Sequence, residues 1–330
     1  MCSSSRRAPR PILQDLPWFV KDRIVRSLGT KANLAIRALS RGLKDSVDRT
    51  SMFYEEMLIQ MQSNSFAVAI ALKTDGSHQR KVVVKPHKSG FRISNSQESW
   101  RGAAQQKPHA EGVANAIMKT LGQPRIKVGK LVIDFSNNST HSMSESAIKK
   151  FCDKKAAILK LLAKKLANKT RKVSVETLEL KLSNGTEDDV MRVLENLKSG
   201  TLRTIQLDMG ADNNLCLKNI AELEQWKQAK ILKTQGFSMD SMPFATWNHF
   251  EGTAVRLDNL DLQLFELMKA HYGAQANLLY AWIAHNKDED TITEYCANGL
   301  MGQDEEQDNY TPSKTIMVVK PGNLWFQQRE

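Results

Sequence analysis

Cysteine is scarce in this chain: four residues in 330, namely Cys2, Cys152, Cys216 and Cys296. No two of them stand at metal-ligand or redox spacing. That argues against a disulfide-stapled scaffold and a zinc finger, and for free thiols in a reducing compartment. Long apolar runs are also missing. Nowhere do eighteen apolar residues follow one another, so no segment reads as a membrane-spanning helix. The opening MCSSSRRAPRP carries charge but no apolar centre, and does not read as a secretory signal. The expected compartment is the cytoplasm, the nucleus or both. Catalytic signatures are lacking as well: there is no G-x-S-x-G elbow, no G-x-x-x-x-G-K-[ST] loop, no G-x-G-x-x-G and no H-E-x-x-H. The seven histidines never reach metal spacing with a Cys or Glu. Neither a cofactor nor a metal site is expected, and the chain does not read as an enzyme.

Charge is plentiful, and it is uneven. The net charge is +11, which suits an anionic partner. Ten Lys or Arg lie between Lys149 and Lys172 against the single acid Asp153, whereas residues 288–308 are acidic. Within the basic run, Lys154, Lys155, Lys164 and Lys165 are the candidate contacts for an acidic protein or RNA. No aromatics are interleaved for base stacking, which disfavours nucleic acid. The other reading of the run is the solvated face of an amphipathic helix.

Along the chain the hydrophobic period changes. Residues 1–10 have little to bury and read as a disordered tail. From Leu16-Pro17 onward, Val20, Ile24 and Leu28 fall four apart, on one face of a helix that Gly29 ends. Leu34 and Leu39 belong to a second short helix, and Leu43 and Val47 to a third. Residues 50–62 read as another amphipathic helix. A β-hairpin follows at 66–85, turning at Thr74-Asp75-Gly76-Ser77, and 90–94 adds a strand. From 109 helix and strand alternate. Helices are expected at 109–121, 144–167, 186–197 (with Thr186 as cap), 217–230, 244–250 and 261–272. Strands are expected at 130–135, 175–182, 202–209, 231–239, 253–257 and 276–284. Residues 314–320 and 323–327 flank Pro321-Gly322 as a terminal hairpin.

Strand starts recur at roughly 22–29 residues after a first interval of about 45, which is close to leucine-rich-repeat spacing. Helix–strand alternation implies a parallel sheet with crossover connections. The expected fold is α+β: a small N-terminal three-helix unit, then an irregular leucine-rich-repeat-like β/α array. A closed doubly wound sheet is the alternative. The divisions are a tail at 1–10, the helical unit at 11–50, a linker helix and β-hairpin at 51–107, the array at 108–287, and an acidic loop with a terminal β-hairpin at 288–330.

The stretch PILQDLPWFVKDRIVRSLGTKANLAIRALSRGLKDSVD at 11–48 resembles an F-box, the helical module that docks a substrate receptor onto the Skp adaptor of a cullin-RING ubiquitin ligase. Further on, EQWKQAK at 224–230, then His249-Phe250 and the strand at 253–257, resemble the FTH domain. In the nematode F-box A type family that domain follows an F-box. The resemblance implies a non-catalytic adaptor that brings an unidentified protein substrate to the ligase. It further implies that Leu16, Pro17, Val20, Ile24, Leu28, Leu39, Ser40 and Leu43 touch the Skp adaptor or shape the face that does. The same apolar residues would serve equally to close a private three-helix core. A rival reading is a regulatory binding protein that uses the basic helix at 149–172 on RNA or an acidic protein.

Overall fold

The computed structural model describes residues 16–28, 32–33, 35–36, 43–44, 46–47, 52–63, 65–74, 77–95, 105–123, 125–136, 144–213, 217–285, 315–320 and 323–328. Twelve strands form one sheet in the order β11-β12-β10-β9-β8-β7-β6-β5-β1-β2-β3-β4. The strands are β1 (Phe53–Met61), β2 (Val68–Thr74), β3 (Ser77–His87), β4 (Gly90–Asn95), β5 (Lys127–Phe135), β6 (Ser174–Leu182), β7 (Thr204–Asn213), β8 (Ile231–Phe237), β9 (Gly252–Leu257), β10 (Tyr280–His285), β11 (Thr315–Lys320) and β12 (Asn323–Gln328). Seven of them, β1 and β5 to β10, run parallel, and from β5 onward each lies beside its predecessor. Antiparallel strands finish both ends: β2 to β4 beyond β1, and the β12–β11 hairpin beyond β10.

One sequence frame repeats along the parallel strands. Val128, Leu131, Ile133 and Phe135 on β5 match Val175, Leu178, Leu180 and Leu182 on β6, and Leu202, Ile205, Leu207 and Met209 at β7. All twelve are buried in one continuous core. The gap of three after the first apolar residue and the alternation after it leave the intervening side chains on the opposite face.

Among the described residues, every helix but the first contributes to the core on the apolar face of the sheet. The helices are α1 (Trp18–Ser27), α2 (His109–Leu121), α3 (Glu145–Ala167), α4 (Glu187–Leu194), the single turn α5 (Glu224–Lys227) and α6 (Leu262–Ala274). On α3, Phe151, Ile158, Leu159, Leu162 and Leu166 face the core. Thr186 and Asp189 form a capping box that starts α4: each side chain accepts a hydrogen bond from the other's backbone N–H. A small separate cluster of Val25, Val47 and Met52, with Ile36 against it, holds the N-terminal segment together. Residues 32–33, 35–36, 43–44 and 46–47 are helical; the rest of the expected second and third helices lies outside the described residues, as do the tail and the acidic loop.

Three expectations fail. Within the helix expected at 50–62, residues 53–61 are strand β1, which joins β5 at the start of the parallel run. Within 51–107, strands β1 to β4 belong to the sheet. Residues 217–230 are broken into a 3-10 turn, Ile220–Glu222, and the turn α5, because Leu223 between them is extended (φ −71, ψ 136). Residues 244–250 hold only the 3-10 turn Phe244–Thr246.

Candidate functional site

Two surfaces stand out. The first is α1. Pro17 sits at its N-cap, and the Pro17 carbonyl accepts from the N–H of Val20 and Lys21, closing the first turn. Val25 is buried in the small N-terminal cluster. Around it, Trp18 is 68% exposed, Val20 and Ile24 on the helix and Leu16 and Leu28 beside its ends are half-buried, and Pro17 is exposed. Among the described side chains, Val25 is committed inward and the others form a ridge that still meets solvent. Of the other expected contacts, Leu43 is buried within the chain and offers no surface. It shapes the unit from inside. Leu39 and Ser40 lie outside the described residues.

The basic run does not form the expected four-lysine patch. Lys155 is 2% exposed. It lies on the same helical face as Phe151, Ile158 and Leu162, so its stem runs into the core. Its Nζ donates to the Ser183 carbonyl at 3.0 Å and the Asn184 carbonyl at 2.9 Å, and pairs with Asp189 at 3.3 Å. It is a structural cation that ties α3 to the turn before α4. Lys154 is half-buried, with Nζ 3.8 Å from the Phe66 ring centroid. Burial, with the neighbouring Lys150 charge, lowers its pKa. Lys164 and Lys165 remain at the surface, where they line a groove of about 280 Å³ with Pro108, Glu111, Leu161 and Asn168.

The second surface is the open face of the sheet, which the sequence reading did not resolve into residues. Strand register lines up three rows across it. The middle row begins with Leu58, Val132 and Glu179, continues through Gln206 and Lys233 to Ala254, and ends at Trp282 and Trp325. Glu179 is buried in this row. It accepts from Lys130 at 2.5 Å and from Lys181 at 2.8 Å. Burial pushes its carboxyl up, but the hydrogen bonds and charges of the two lysines outweigh this and hold the pKa below the ordinary value. Lys181 is raised in turn by its bond to Glu179, against some desolvation, with help from the Glu179, Asp134 and Asp208 charges. Gln60 Nε2 donates to Asp134 at 3.0 Å. The centre of the face is a closed polar network. Beyond β7 it changes character, to exposed Lys233 and Arg256 and the rings of Tyr280, Trp282 and Trp325.

The distinctive Trp226 is not part of either surface. It is fully buried, packs edge-on against Phe250 at 5.2 Å, and donates Nε1–H to the Thr246 carbonyl at 2.8 Å. His249 bonds the Trp226 carbonyl at 3.1 Å. The EQWKQAK string is therefore a packing motif that locks the β7–β8 crossover to the next one.

Residues 156–295 match the family profile of the FTH domain. The match runs from within α3 past the end of β10 and includes Trp226 and His249. No curated protein and no solved structure matches the chain. Among the described residues no helix is long and apolar enough to cross a membrane.

Proposed function

We propose that this chain is the substrate-recognition subunit of a Skp–cullin–F-box ubiquitin ligase. In this reading residues 11–50 are an F-box that binds the Skp adaptor, and the leucine-rich-repeat-like array that follows binds a protein substrate. The chain performs no chemistry. It acts in the cytoplasm or nucleus by holding a target near the charged ubiquitin carrier, where tethering raises the effective concentration of the target's lysines. The FTH match supports the reading, because that domain accompanies F-boxes in the family the sequence resembles.

The observation that carries it is the ridge on α1. Trp18 at 68% exposure, flanked by half-buried Leu16, Val20, Ile24 and Leu28, leaves apolar surface that the chain's own fold does not cover. Complete burial of a Leu or Ile is worth roughly 1.5–3 kcal/mol. Covering what remains of four such residues plus an indole supports a stable interface after association costs. Exposed tryptophan is also the residue type most enriched at binding hot spots.

Co-purification with the Skp adaptor tests the reading. The parent chain is expected to hold the adaptor, and an Ile24→Asp/Leu28→Asp variant to lose it with the sheet still folded by circular dichroism. Absence of a complex with the parent chain refutes it. The rival, an anionic partner on α3, is confined to Lys164, Lys165 and the exposed Lys149, Lys150 and Lys160, since Lys155 is inaccessible. A salt-independent partner affinity in a Lys164→Glu/Lys165→Glu variant would remove it.

A further inference from the structure

We infer that the shallow trough along β9, on the open face of the sheet, seats an extended segment of a target protein in which an aliphatic side chain neighbours a carboxylate. This deepens the substrate-binding half of the reading above and rests on it.

The trough has a floor, walls and a charge. Its floor is Gly252 and Ala254, the smallest pair that successive outward positions of any parallel strand supply. One wall is β8, with Ile231 paired to Gly252 and Lys233 paired to Ala254. The other is β10, with Tyr280 paired to Gly252 and Trp282 paired to Ala254. Strands lie about 4.8 Å apart, so the two walls stand roughly 10 Å apart. That width admits one aliphatic side chain standing on Ala254. Trp325 of β12 extends the aromatic wall, its ring centroid 6.4 Å from that of Trp282.

Gly252 has a specific task here. A Cβ on it would lie 3.1 Å from a carbon of the Tyr280 ring and 3.2 Å from Ile231. The missing side chain lets the Tyr280 ring lie down over the strand and close the lower end of the trough. Lys233 Nζ then sits 5.9 Å from that ring's centroid. The Tyr280 hydroxyl has no hydrogen-bond partner among the described residues.

The upper end carries an arginine beside two acids, Asp258 and Asp240, the Asp240 carboxylate accepting from the Asp258 N–H at 3.1 Å. Arg256 follows Ala254 on the same face, and its Nε donates to Asp258 at 2.7 Å, which leaves the rest of the guanidinium fork for an incoming carboxylate. With Lys233 it brackets the floor diagonally. At the far end, Gly236 bends β8, and the chain beyond it returns to β9, where the Met239 N–H donates to the Arg256 carbonyl at 2.9 Å. It takes φ +82, and a Cβ there would meet the Gly210 carbonyl oxygen at 2.5 Å. Register between β8 and β9 stops at Lys233 and Ala254, so Lys233 is the last β8 side chain paired along the trough.

Aromatics beside cations also suit single-stranded nucleic acid. The neighbouring strands decide against it. Asp208, Glu179 and Asp134 occupy the face beyond β8 against Lys130 and Lys181, so a polyphosphate crossing the sheet would meet more acid than base there. The Trp282 and Trp325 planes are tilted by 60° and do not form a stacking platform. A short peptide bearing single carboxylates needs only the Lys233–Arg256 end.

The test is a fluorescence titration of the full chain, without the Skp adaptor, with four probes: a decapeptide alternating Leu and Asp, one alternating Leu and Lys, one alternating Ser and Asp, and an oligothymidine. The Leu/Asp peptide is expected to bind saturably, the others at least about tenfold more weakly. Lys233→Glu, an exposed change that touches no core residue, should weaken the Leu/Asp peptide about tenfold or more. Trp282→Ala should do the same, and Lys198→Glu, exposed and away from both surfaces, should leave it unchanged. No saturation by the Leu/Asp peptide below about 1 mM, equal affinity in the parent and Lys233→Glu, or tighter binding of oligothymidine would overturn the inference. None of these outcomes bears on adaptor capture by α1, so the two claims fail separately.

Discussion

Lys155→Met removes one charge from the interior and almost nothing else. Methionine matches the lysine stem in length and stays with Phe151 and Ile158 on the buried face of α3. What is lost is two charge-assisted hydrogen bonds to the Ser183 and Asn184 carbonyls and the ion pair with Asp189. Removing one partner of a buried pair costs about 3–5 kcal/mol, because the other charge stays buried without compensation. Asp189 keeps two further contacts, the Thr186 N–H at 3.3 Å and Arg192 at 3.4 Å. The lower end of that range, about 3 kcal/mol, is therefore expected. Adding Asp189→Asn removes the stranded charge but retains an oxygen that can serve the capping box. The double variant should recover part of the loss, with a coupling energy of about 1–2 kcal/mol. Urea unfolding followed by the fluorescence of buried Trp226 and Trp247 reads both quantities. A loss below about 1 kcal/mol for Lys155→Met, or additivity of the two changes, would refute the assignment of Lys155 as a structural cation.

Two further predictions concern the sheet and its crossovers. The Glu179 carboxyl has a folded-state pKa below its ordinary 4.5, so the unfolded chain takes up the proton first as pH falls; the stabilisation is complete above that ordinary value and is lost as pH drops through the folded-state pKa. Acid unfolding of Glu179→Gln should show a shallower decline over that window than the parent, and identical slopes would contradict the network described on the open face. Thr186→Ala removes the acceptor for the Asp189 N–H (3.2 Å) and should cost about 1 kcal/mol in the same urea assay, whereas Thr186→Ser should cost little.

Much of the array could be read from the chain because its strands and its long helices carry strong periods. Helices α2 and α3 appear where the i, i+3, i+4 spacing puts them, and the hairpins at both ends follow their turn residues. Residues 53–61 misled because Phe53, Tyr54, Met57, Leu58 and Met61 satisfy helical spacing while Met57, Ile59 and Met61 also satisfy strand alternation. Only the unsatisfied edge of β5, invisible in sequence, decides between them. The crossovers after β7 and β8 are turns where the spacing predicts helices, because Leu223 and Trp247 leave the helical conformation. Lys155 carried a signal that went unused: it falls on the Phe151, Ile158, Leu162 stripe, and a cation on a buried stripe calls for a partner. The trough required strand order before Lys233, Ala254 and Trp282 could be placed side by side, since they come from segments far apart in the chain.

The central claim is that the apolar ridge of α1 faces a foreign protein. The affinity of the full chain for the Skp adaptor, measured for the parent and for Trp18→Ala, tests it most directly. Trp18 is 68% exposed and outside the Val25 cluster, so its truncation should shift unfolding far less than it weakens the adaptor, by about 2 kcal/mol or more, roughly thirtyfold. Undiminished affinity in Trp18→Ala, or no measurable affinity in the parent, would contradict it.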